Sequence, residues 1–397
     1  AATSEYISSV GGTTQAALDA IVIAINRVNQ IYERDLGIRL VLIDNNDALL
    51  ESGFDYTNYN EVAMLGENQQ NIDNVILNEN YDIGHVFGTG GGGIAEVGSV
   101  CNQYKKAGGA TGLPNPTGDA FYIDYVAHEM GHQFSAEHSF NGTTSSCAAP
   151  NRWQASAFEP GGGSTIMSYA GICGSENLTN HADAMFHAGS IAQIDIFTTS
   201  GAGASCGAPP LPINNPSEPS VDAGNDYIIP RKTPFKLTAS GSDNDGDSIT
   251  FSWDQMDAGS ATNALTLGTD LGSNALFRSY LPRSENYRHF PALGTTLQNK
   301  YDRSENLACK TRSLNFRVTA RDGNSGMGRD NVKLTVDNGS GPFQISSFNA
   351  SQTLTPGEQE IYWDPANTNN SPVNCTFVDI SLLTFNFAKT SYFETNL

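Results

Sequence analysis

The stretch 127-AHEMGHQFSAEHSF-140 contains three histidines and two glutamates within fourteen residues. His128 and His132 are four residues apart, so on a helix both imidazoles lie on one face and can bind one cation. His-Glu-x-x-His is the pattern of two zinc ligands with a carboxylate base between them, which assigns the base to Glu129. Because this short pattern also arises by chance in helices, the surrounding sequence has to support it.

A third histidine in the stretch strengthens the prediction of a metal site. His138 lies ten residues after His128, where a third ligand is expected once the helix has ended and the chain turns back. Three protein nitrogens leave the fourth tetrahedral position open for water, as catalytic zinc requires, whereas a structural zinc is closed by four protein ligands. Glu137 lies beside His138, past the expected helix end, and is predicted to be a solvated or supporting carboxylate.

A methionine-containing segment follows the third histidine by about thirty residues. The segment 165-TIMSYAG-171 is similar to a Met-turn, which places a methionine, here Met167, beneath the zinc ligands. Together the zinc motif, this segment and the flanking helical patterns resemble the metzincin metallopeptidases. The resemblance implies a zinc endopeptidase in which Glu129 acts as general base for a zinc-activated water.

The run 93-GIAEVGSVC-101 ahead of the motif resembles the reprolysin (adamalysin-type) branch, in which a strand ending in cysteine borders the cleft. The resemblance covers residues 1–207 and implies an α/β fold with a twisted mixed sheet. It also implies an antiparallel edge strand at about 94–100, to which a polypeptide substrate adds as an extended strand. The disulfides it implies are Cys101–Cys206 and Cys147–Cys173; Cys309 and Cys375 are predicted to form a third.

Two positions depart from the reprolysin pattern. Tyr169 follows Met167 by two residues, where reprolysins usually have proline; this resembles the serralysin and astacin turn, whose tyrosine reaches the zinc or the oxyanion. A tyrosine that only packs is the alternative. Ser135 replaces the glycine at which the helix breaks, and a serine at positive φ costs on the order of 1 kcal/mol. We expect a formed site; a weak or inactive one is the alternative.

Composition limits the classes of partner. The 42 Asp and Glu outnumber the 21 Lys and Arg, and the net charge of −21 argues against nucleic acid and anionic membranes. The longest apolar runs, such as 18–25, are too short to span a bilayer, so we expect a soluble protein. We also expect the chain to be a monomer. The first residues show no signal peptide, so we expect any such segment to have been removed or never present.

Cysteine usage suggests the compartment. Six widely spaced cysteines without a C-x-x-C pair favour disulfides and a secreted, extracellular protein over a thiolate metal cluster. Buried free thiols in a cytosolic protein are the alternative.

Hydrophobic periodicity predicts alternating helices and strands up to residue 207. The first predicted helix begins at Thr13 or Thr14 and ends at Gly37, and a second covers about 60–79. A third begins near Tyr122 and contains the motif, and a fourth covers 181–198. The predicted strands are 38–43, 81–87 and 94–100. The four glycines 90–93 are read as a bend before a strand, since no Lys-Ser/Thr follows to make a phosphate loop.

The composition changes at 208–220, where five prolines in thirteen residues predict a stiff linker. Residues 221–338 are predicted to form a PKD/Ig-like β-sandwich with strands at 235–240, 249–255, 314–322 and 331–337. Residues 339–397 are predicted to form a partial or small third β module, with strands at 343–350, 360–365 and 377–382. The fold class is thus a metzincin α/β domain followed by all-β modules.

Other polar clusters are weaker candidates. Asp243, Asp245 and Asp247 surround a glycine as Ca²⁺ loops do, but they lack the EF-hand layout and a turn of solvated acids is the alternative. His85, His181 and His187 have no ligand spacing and are predicted to be packed or surface residues.

Two further classes of function remain open. One is a secreted adhesion or matrix-binding protein whose peptidase domain is weakened or inactive. The other is a zinc enzyme acting on a non-peptide substrate, which the predicted edge strand disfavours because such an edge suits a polypeptide.

Overall fold

The computed structural model describes residues 1–207, 215, 217–347, 360 and 362–373. Helices surround a small sheet in the first part of the chain, through residue 207. The helices are α1 Ser4–Ser9, α2 Thr14–Leu36, α3 Asp47–Glu51, α4 Glu61–Val75, α5 Asp119–Phe121, α6 His128–Gln133 and α7 Ala188–Thr199. The strands are β1 Val86–Gly88, β2 Gly92–Ala95 and β3 Gly109–Gly112.

The three strands form one mixed sheet in the order β1-β3-β2. β1 pairs with β3 in parallel and β2 pairs with β3 antiparallel, which confirms the predicted mixed sheet with an antiparallel edge strand. The predicted extent of that strand is wrong, because β2 ends at Ala95. Beyond it, the N–H groups of Gly98 and Val100 bond to His132 O and Gln133 O, at 2.9 and 3.2 Å, so the chain leaves the sheet for the motif helix.

Helix α2 forms as its sequence predicts. The Thr13 side chain accepts a hydrogen bond from Ala16 N at the amino end, and Gly37 ends the helix with φ 63°. The apolar face of α2 is buried in the main core, and the hydroxyl of Tyr32 donates to Ala127 O at 2.8 Å. This bond fixes the backbone immediately before the first histidine of the motif.

The predicted strand at 38–43 is wrong. Among the residues that the structure describes, this segment has no ladder partner and instead runs along α2. The Asn29 side chain accepts from Leu40 N and donates to Leu40 O, both at 2.8 Å. Because the amide satisfies the groups that a neighbouring strand would use, the β-branched sequence stays extended without joining a sheet.

The strands of the C-terminal part lie mostly in residues 217–347, here called the β region. They are β4 Ser220–Asp222, β5 Tyr227–Pro230, β6 Phe235–Thr238, β7 Ser240–Ser242, β8 Thr250–Gln255, β9 Tyr287–Phe290, β10 Arg312–Arg321, β11 Met327–Asp337, β12 Gln344–Ile345 and, at residues 363–364, β13 Trp363–Asp364. A short helix, α8 Leu293–Leu297, lies among them. A four-stranded sheet has the order β5-β11-β10-β8, and the remaining strands pair as β4-β7, β6-β9 and β12-β13.

Aromatic residues join the sheets of the β region in one core. Phe290 of β9 lies 4.7 Å from Phe316 of β10 between ring centroids, and Phe235 of β6 stacks on Phe290. The PKD/Ig-like character of this region and the bounds of all four predicted segments stay predictions. Most of the predicted linker and of the third module, including the predicted strand at 377–382, lies outside the described residues.

Two disulfides lie in the first part of the chain, and both were implied by the family resemblance. Cys101 pairs with Cys206 and Cys147 pairs with Cys173. Cys309 is half-buried, and its predicted partner Cys375 lies outside the described residues. Within the described ranges, no helix has both the length and the apolar character needed to cross a membrane.

The β region packs against the first part of the chain. Arg321 of β10 donates to the carboxylate of Asp35 in α2 at 2.8 Å, and both side chains are 0% exposed. Asp35 also accepts from Arg34 and from the Phe186 N–H. Burial raises the pKa of Asp35, but the two guanidinium groups and the backbone donor outweigh it and hold the pKa below its usual value.

Candidate metal centre

The motif lies on a helix that begins earlier than the sequence predicts. α5 starts at Asp119 and continues through π-helical turns at Tyr122–Ala127 into α6, His128–Gln133. π-helical turns inside a helix are rare and occur often at functional sites, because they change which way the following side chains face. Here the α-helical spacing resumes at His128, so His128 and His132 lie on one face.

Three imidazoles converge at the end of this helix. The Nε2 of His132 lies 3.1 Å from the Nε2 of His128 and 3.1 Å from the Nε2 of His138. Zinc–nitrogen bonds of about 2.0–2.1 Å in a tetrahedron place ligand nitrogens roughly 3.3 Å apart. The spacing of the three nitrogens therefore fits one zinc ion.

The opposite ring nitrogens are all tied to backbone carbonyls. Nδ1 of His128, His132 and His138 lies 2.6, 2.7 and 2.6 Å from the carbonyl oxygens of Ile166, Ala136 and Asn151 respectively. Since a carbonyl only accepts, each Nδ1 carries the proton and each Nε2 turns a lone pair toward the centre. Three lone pairs facing one point suit a cation, which is the donor set that zinc takes.

Burial keeps these rings neutral. Burial lowers the pKa of His132 to about 4. Burial, followed by the nearby His132 ring, lowers the pKa of His138 to about 3. The pKa of His128 is also well below its ordinary value, because of burial and then of the neighbouring His132 and His138. Neutral imidazole is the form that binds a metal.

Glu129 is buried beside the three histidines. Burial raises the pKa of its carboxyl to about 8. The strand β2 passes directly over it: a Cβ on Gly93 would lie 2.4 Å from Glu129 Oε1. A glycine at 93 is therefore what allows the edge strand to pass so close to the carboxylate.

The chain turns sharply at Ser135. Its φ is 75°, the left-handed conformation that the sequence predicts for this position. The Ser135 N–H bonds to His132 O at 2.8 Å and the Ala136 N–H bonds to Gly131 O at 3.0 Å. The serine thus makes the turn that glycine makes in the related motif, and His138 reaches the other two histidines.

Met167, the methionine of the predicted Met-turn, packs against the motif helix at Gly131. It is fully buried, and a Cβ on Gly131 would lie 2.5 Å from its Sδ. The Met167 carbonyl accepts from Ser139 N at 2.9 Å, one residue beyond the third histidine. The turn therefore holds the His128 ring through the Ile166 carbonyl, and it holds the backbone next to His138 through the Met167 carbonyl.

A family model agrees with this geometry. The model described as metallo-peptidase family M12B, reprolysin-like, matches residues 18–139. The chain contains a reprolysin-like domain. The match includes Glu129 and all three histidines, and it ends before the Met-turn at 165–171. No curated protein matches the chain.

Glu159 is a residue of the site that the sequence did not reveal. It lies just beyond the matched reprolysin-like segment and is fully buried. Its carboxylate accepts from the Ser139 hydroxyl at 2.6 Å, from Ser164 N at 2.7 Å and from the Thr165 N–H and hydroxyl. It thereby ties the third-histidine segment to the Met-turn. No spacing signal precedes it, because its partners are brought together only by folding.

Tyr169 contacts the site of the reprolysin-like domain. Its ring lies 4.5 Å from the His138 ring and 4.7 Å from the Phe140 ring, centroid to centroid. Burial, followed by the charges of Glu129 and Tyr125, raises the pKa of the phenol, so it keeps its proton. The position suits either predicted role, a donor to the site or a packed ring.

The three other histidines of the first part of the chain have structural contacts. His85 lies between Gln133 and Thr111 at 2.9 and 2.8 Å, His181 lies 2.6 Å from Asp124, and His187 accepts from Gly189 N at the start of α7. Among the described residues, none of these three belongs to a group that could hold a metal ion. Glu137 is half-buried, and burial raises its pKa.

The acidic cluster of the β region is already hydrogen-bonded. Asp243, Asp245 and Asp247 lie close enough to share an ion. However, Asp243 accepts from Asp245 N at 2.8 Å, Asp245 accepts from Ser217, and Asp247 accepts from Asn324 Nδ2 at 2.7 Å. These bonds are those of a polar turn, and calcium binding here stays a prediction without support.

Proposed function

We propose that this chain is a secreted zinc-dependent endopeptidase that hydrolyses peptide bonds of extracellular proteins. The observation that carries the proposal is the arrangement of three imidazoles. The Nε2 of His132 lies 3.1 Å from the Nε2 of both His128 and His138, and each Nδ1 is bonded to a backbone carbonyl. The M12B match over the same histidines supports the reaction class. Secretion is supported by the two disulfides, which persist in oxidising compartments.

The residues would divide the work as follows. His128, His132 and His138 would hold zinc, which supplies Lewis-acid polarisation of water and of the scissile carbonyl. Glu129 would take a proton from the attacking water and deliver it to the leaving amine. A cation next to Glu129 favours its ionised form, which offsets the raised pKa of about 8 that burial alone produces.

Tyr169 would assist as a neutral hydrogen-bond donor. Its raised pKa keeps the phenol protonated, so it can donate to the oxygen that becomes negative as the carbonyl is attacked. Its ring contact with His138 brings it to the same side of the site.

The substrate would bind as an extended strand along β2. In the three-stranded sheet β2 has β3 on one side only, so its other edge can pair with a peptide backbone. Gly93 of β2 lies against Glu129, so a peptide on this edge would pass beside the base. The partners we propose are therefore polypeptides, bound by a monomeric chain.

The test combines metal analysis with cleavage of casein or gelatin. The purified chain should contain one zinc, lose cleavage on chelation and regain it with added Zn²⁺. Glu129→Ala should keep the zinc and lose activity by about 10²- to 10⁴-fold, the usual contribution of acid–base catalysis.

Glu137→Gln is the matched control, since this half-buried carboxylate belongs to the same motif but has no place at the reacting atoms. It should cleave like the wild type. Full activity of Glu129→Ala would refute the assigned role, and bound zinc without any cleavage would favour the binding-protein alternative.

A further inference from the structure

The third histidine is held differently from the other two. His128 and His132 are fixed by helix α6, whereas His138 lies in an irregular segment, residues 138–144, here called the histidine loop. Its Nδ1 bonds to the carbonyl of Asn151 at 2.6 Å. The position of His138 therefore depends on what holds the histidine loop and residue 151.

The residue after Asn151 connects to the β region. The Arg152 guanidinium donates to Asn141 Oδ1 at 2.7 Å and to the carbonyl of Gly259 at 2.6 Å. Gly259 belongs to residues 259–262 of the β region, here called the docking loop. One side chain thus joins the backbone acceptor of His138, the histidine loop and the docking loop.

Further bonds connect the two loops. Asn141, which is 0% exposed, donates to Ser260 O at 2.9 Å, and its own carbonyl accepts from Thr262 N at 3.2 Å. The Thr143 hydroxyl donates to Thr262 O at 2.7 Å. Buried Glu176 accepts from Thr143 N at 2.7 Å and from the Thr262 hydroxyl at 3.3 Å.

The docking loop is itself anchored inside the β region. Ser260 N donates to Ser273 Oγ at 3.1 Å, and a Cβ on Gly259 would lie 2.3 Å from Ser273 O. The docking loop therefore links the β region to the histidine loop, because a shift of either loop would break hydrogen bonds that are partly or fully buried.

We propose that the docking loop positions His138 for metal binding, with Arg152 as the central positioning residue. This inference rests on the proposed zinc site, and it makes the β region a working part of that site. Groups that orient a metal ligand through its hydrogen-bonded partner typically change metal affinity by about 10- to 100-fold when removed.

The test uses the full chain and compares variants of the peptidase side of the contact. Arg152→Ala removes the bridge, Arg152→Lys keeps the charge but not the forked geometry, and Thr143→Val removes one bond to Thr262. Arg329→Ala is the matched control, because it removes another contact between the same two parts of the chain, to Asp195 at 2.6 Å, away from the histidine loop.

Two measurements are needed: the zinc Kd by chelator competition, and amide hydrogen exchange of residues 138–144 in the zinc-free protein. Combining Arg152→Ala with Thr143→Val should weaken zinc at least about tenfold and accelerate exchange, Arg152→Lys should be intermediate, and Arg329→Ala should change neither. Circular dichroism would confirm that each variant is folded.

Two results would overturn the inference: unchanged exchange and zinc affinity in the double variant, or an equal loss in Arg329→Ala. The proposed zinc function fails separately, if the wild type binds no zinc. In that case the exchange measurement still decides whether the docking loop orders the histidine loop.

Discussion

At the scale of single residues, Ser135 tests how strictly the zinc motif requires glycine. Its φ of 75° is a conformation that costs a non-glycine residue on the order of 1 kcal/mol. The histidines nevertheless converge at 3.1 Å, so the surrounding fold absorbs this cost. The strain therefore lowers the stability of the fold and does not disturb the arrangement of the three histidines.

We therefore expect Ser135→Gly to raise the free energy of unfolding by less than about 1 kcal/mol, since relief of strain is partly offset by the greater freedom of glycine in the unfolded chain. Zinc affinity should stay close to wild type. Urea denaturation and chelator competition measure the two quantities.

Ser325→Gly is the matched control, because Ser325 has the same φ of 75° in the β region. Both glycine variants should change stability alike. A gain in zinc affinity specific to Ser135→Gly would show that the serine does distort the site.

At the scale of elements, the contact between the motif helix and the Met-turn depends on a residue without a side chain. Gly131 lies between the two helical histidines, and Met167 packs against it in a fully buried position. Glycine in a helix costs up to about 1 kcal/mol relative to alanine. Glycine is needed at 131 because Met167 Sδ occupies the space that a Cβ on this residue would fill.

Gly131→Ala should destabilise the protein by about 1–3 kcal/mol, because its Cβ would overlap Met167 Sδ, which lies 2.5 Å from the Cβ position. Gly66→Ala is the contrasting control: Gly66 also lies in a helix, α4, but apart from its chain neighbours and the backbone of that helix no atom lies within 4 Å of its Cβ position. That variant should be stabilised by up to about 1 kcal/mol.

Thermal or urea unfolding of the two variants checks the prediction. Equal stabilisation of both would mean that the Met-turn moves freely away from the helix. Combining Gly131→Ala with Met167→Ala should cost less than the sum of the single changes, because the smaller residue removes the overlap.

At the scale of the whole molecule, the Asp35–Arg321 pair couples the reprolysin-like domain to the β region. The two side chains are 286 positions apart in the chain and both are 0% exposed. Removing one partner of a buried ion pair typically costs about 3–5 kcal/mol, and here Arg34, which also pairs with Asp35, offsets part of that cost when Arg321 is removed.

Arg321→Met should therefore destabilise the protein strongly, and adding Asp35→Leu should recover part of the loss. Arg329→Ala, which breaks the more exposed pair with Asp195, should cost less than about 1 kcal/mol. Urea unfolding followed by fluorescence measures all of these. Additive effects of Arg321→Met and Asp35→Leu would show that the pair does not couple the two parts.

Local patterns in the sequence predicted much of the candidate site and of its supporting helices. The spacing of His128, Glu129 and His132 needs only a helix to place them together, and the caps at Thr13 and Gly37 act within one turn. The positive φ at Ser135 follows from the motif itself. These predictions held because their physical causes lie within a few residues of the chain.

The tertiary structure decided what depends on partners distant in sequence. The segment 38–43 has the composition of a strand, but the Asn29 side chain satisfies Leu40 and no ladder forms there in the described residues. Glu159 is an ordinary acid in the sequence, and burial with Ser139 and Thr165 makes it a link within the site.

The same holds for Arg152. The sequence by itself predicted the three candidate histidines, because His128 and His132 need only local helical geometry and His138 follows them in the same motif. Only folding determined that the docking loop, more than a hundred positions further along the chain, reaches the histidine loop. Hydrogen bonds between distant segments depend on how the whole chain packs, which no local pattern of residues encodes.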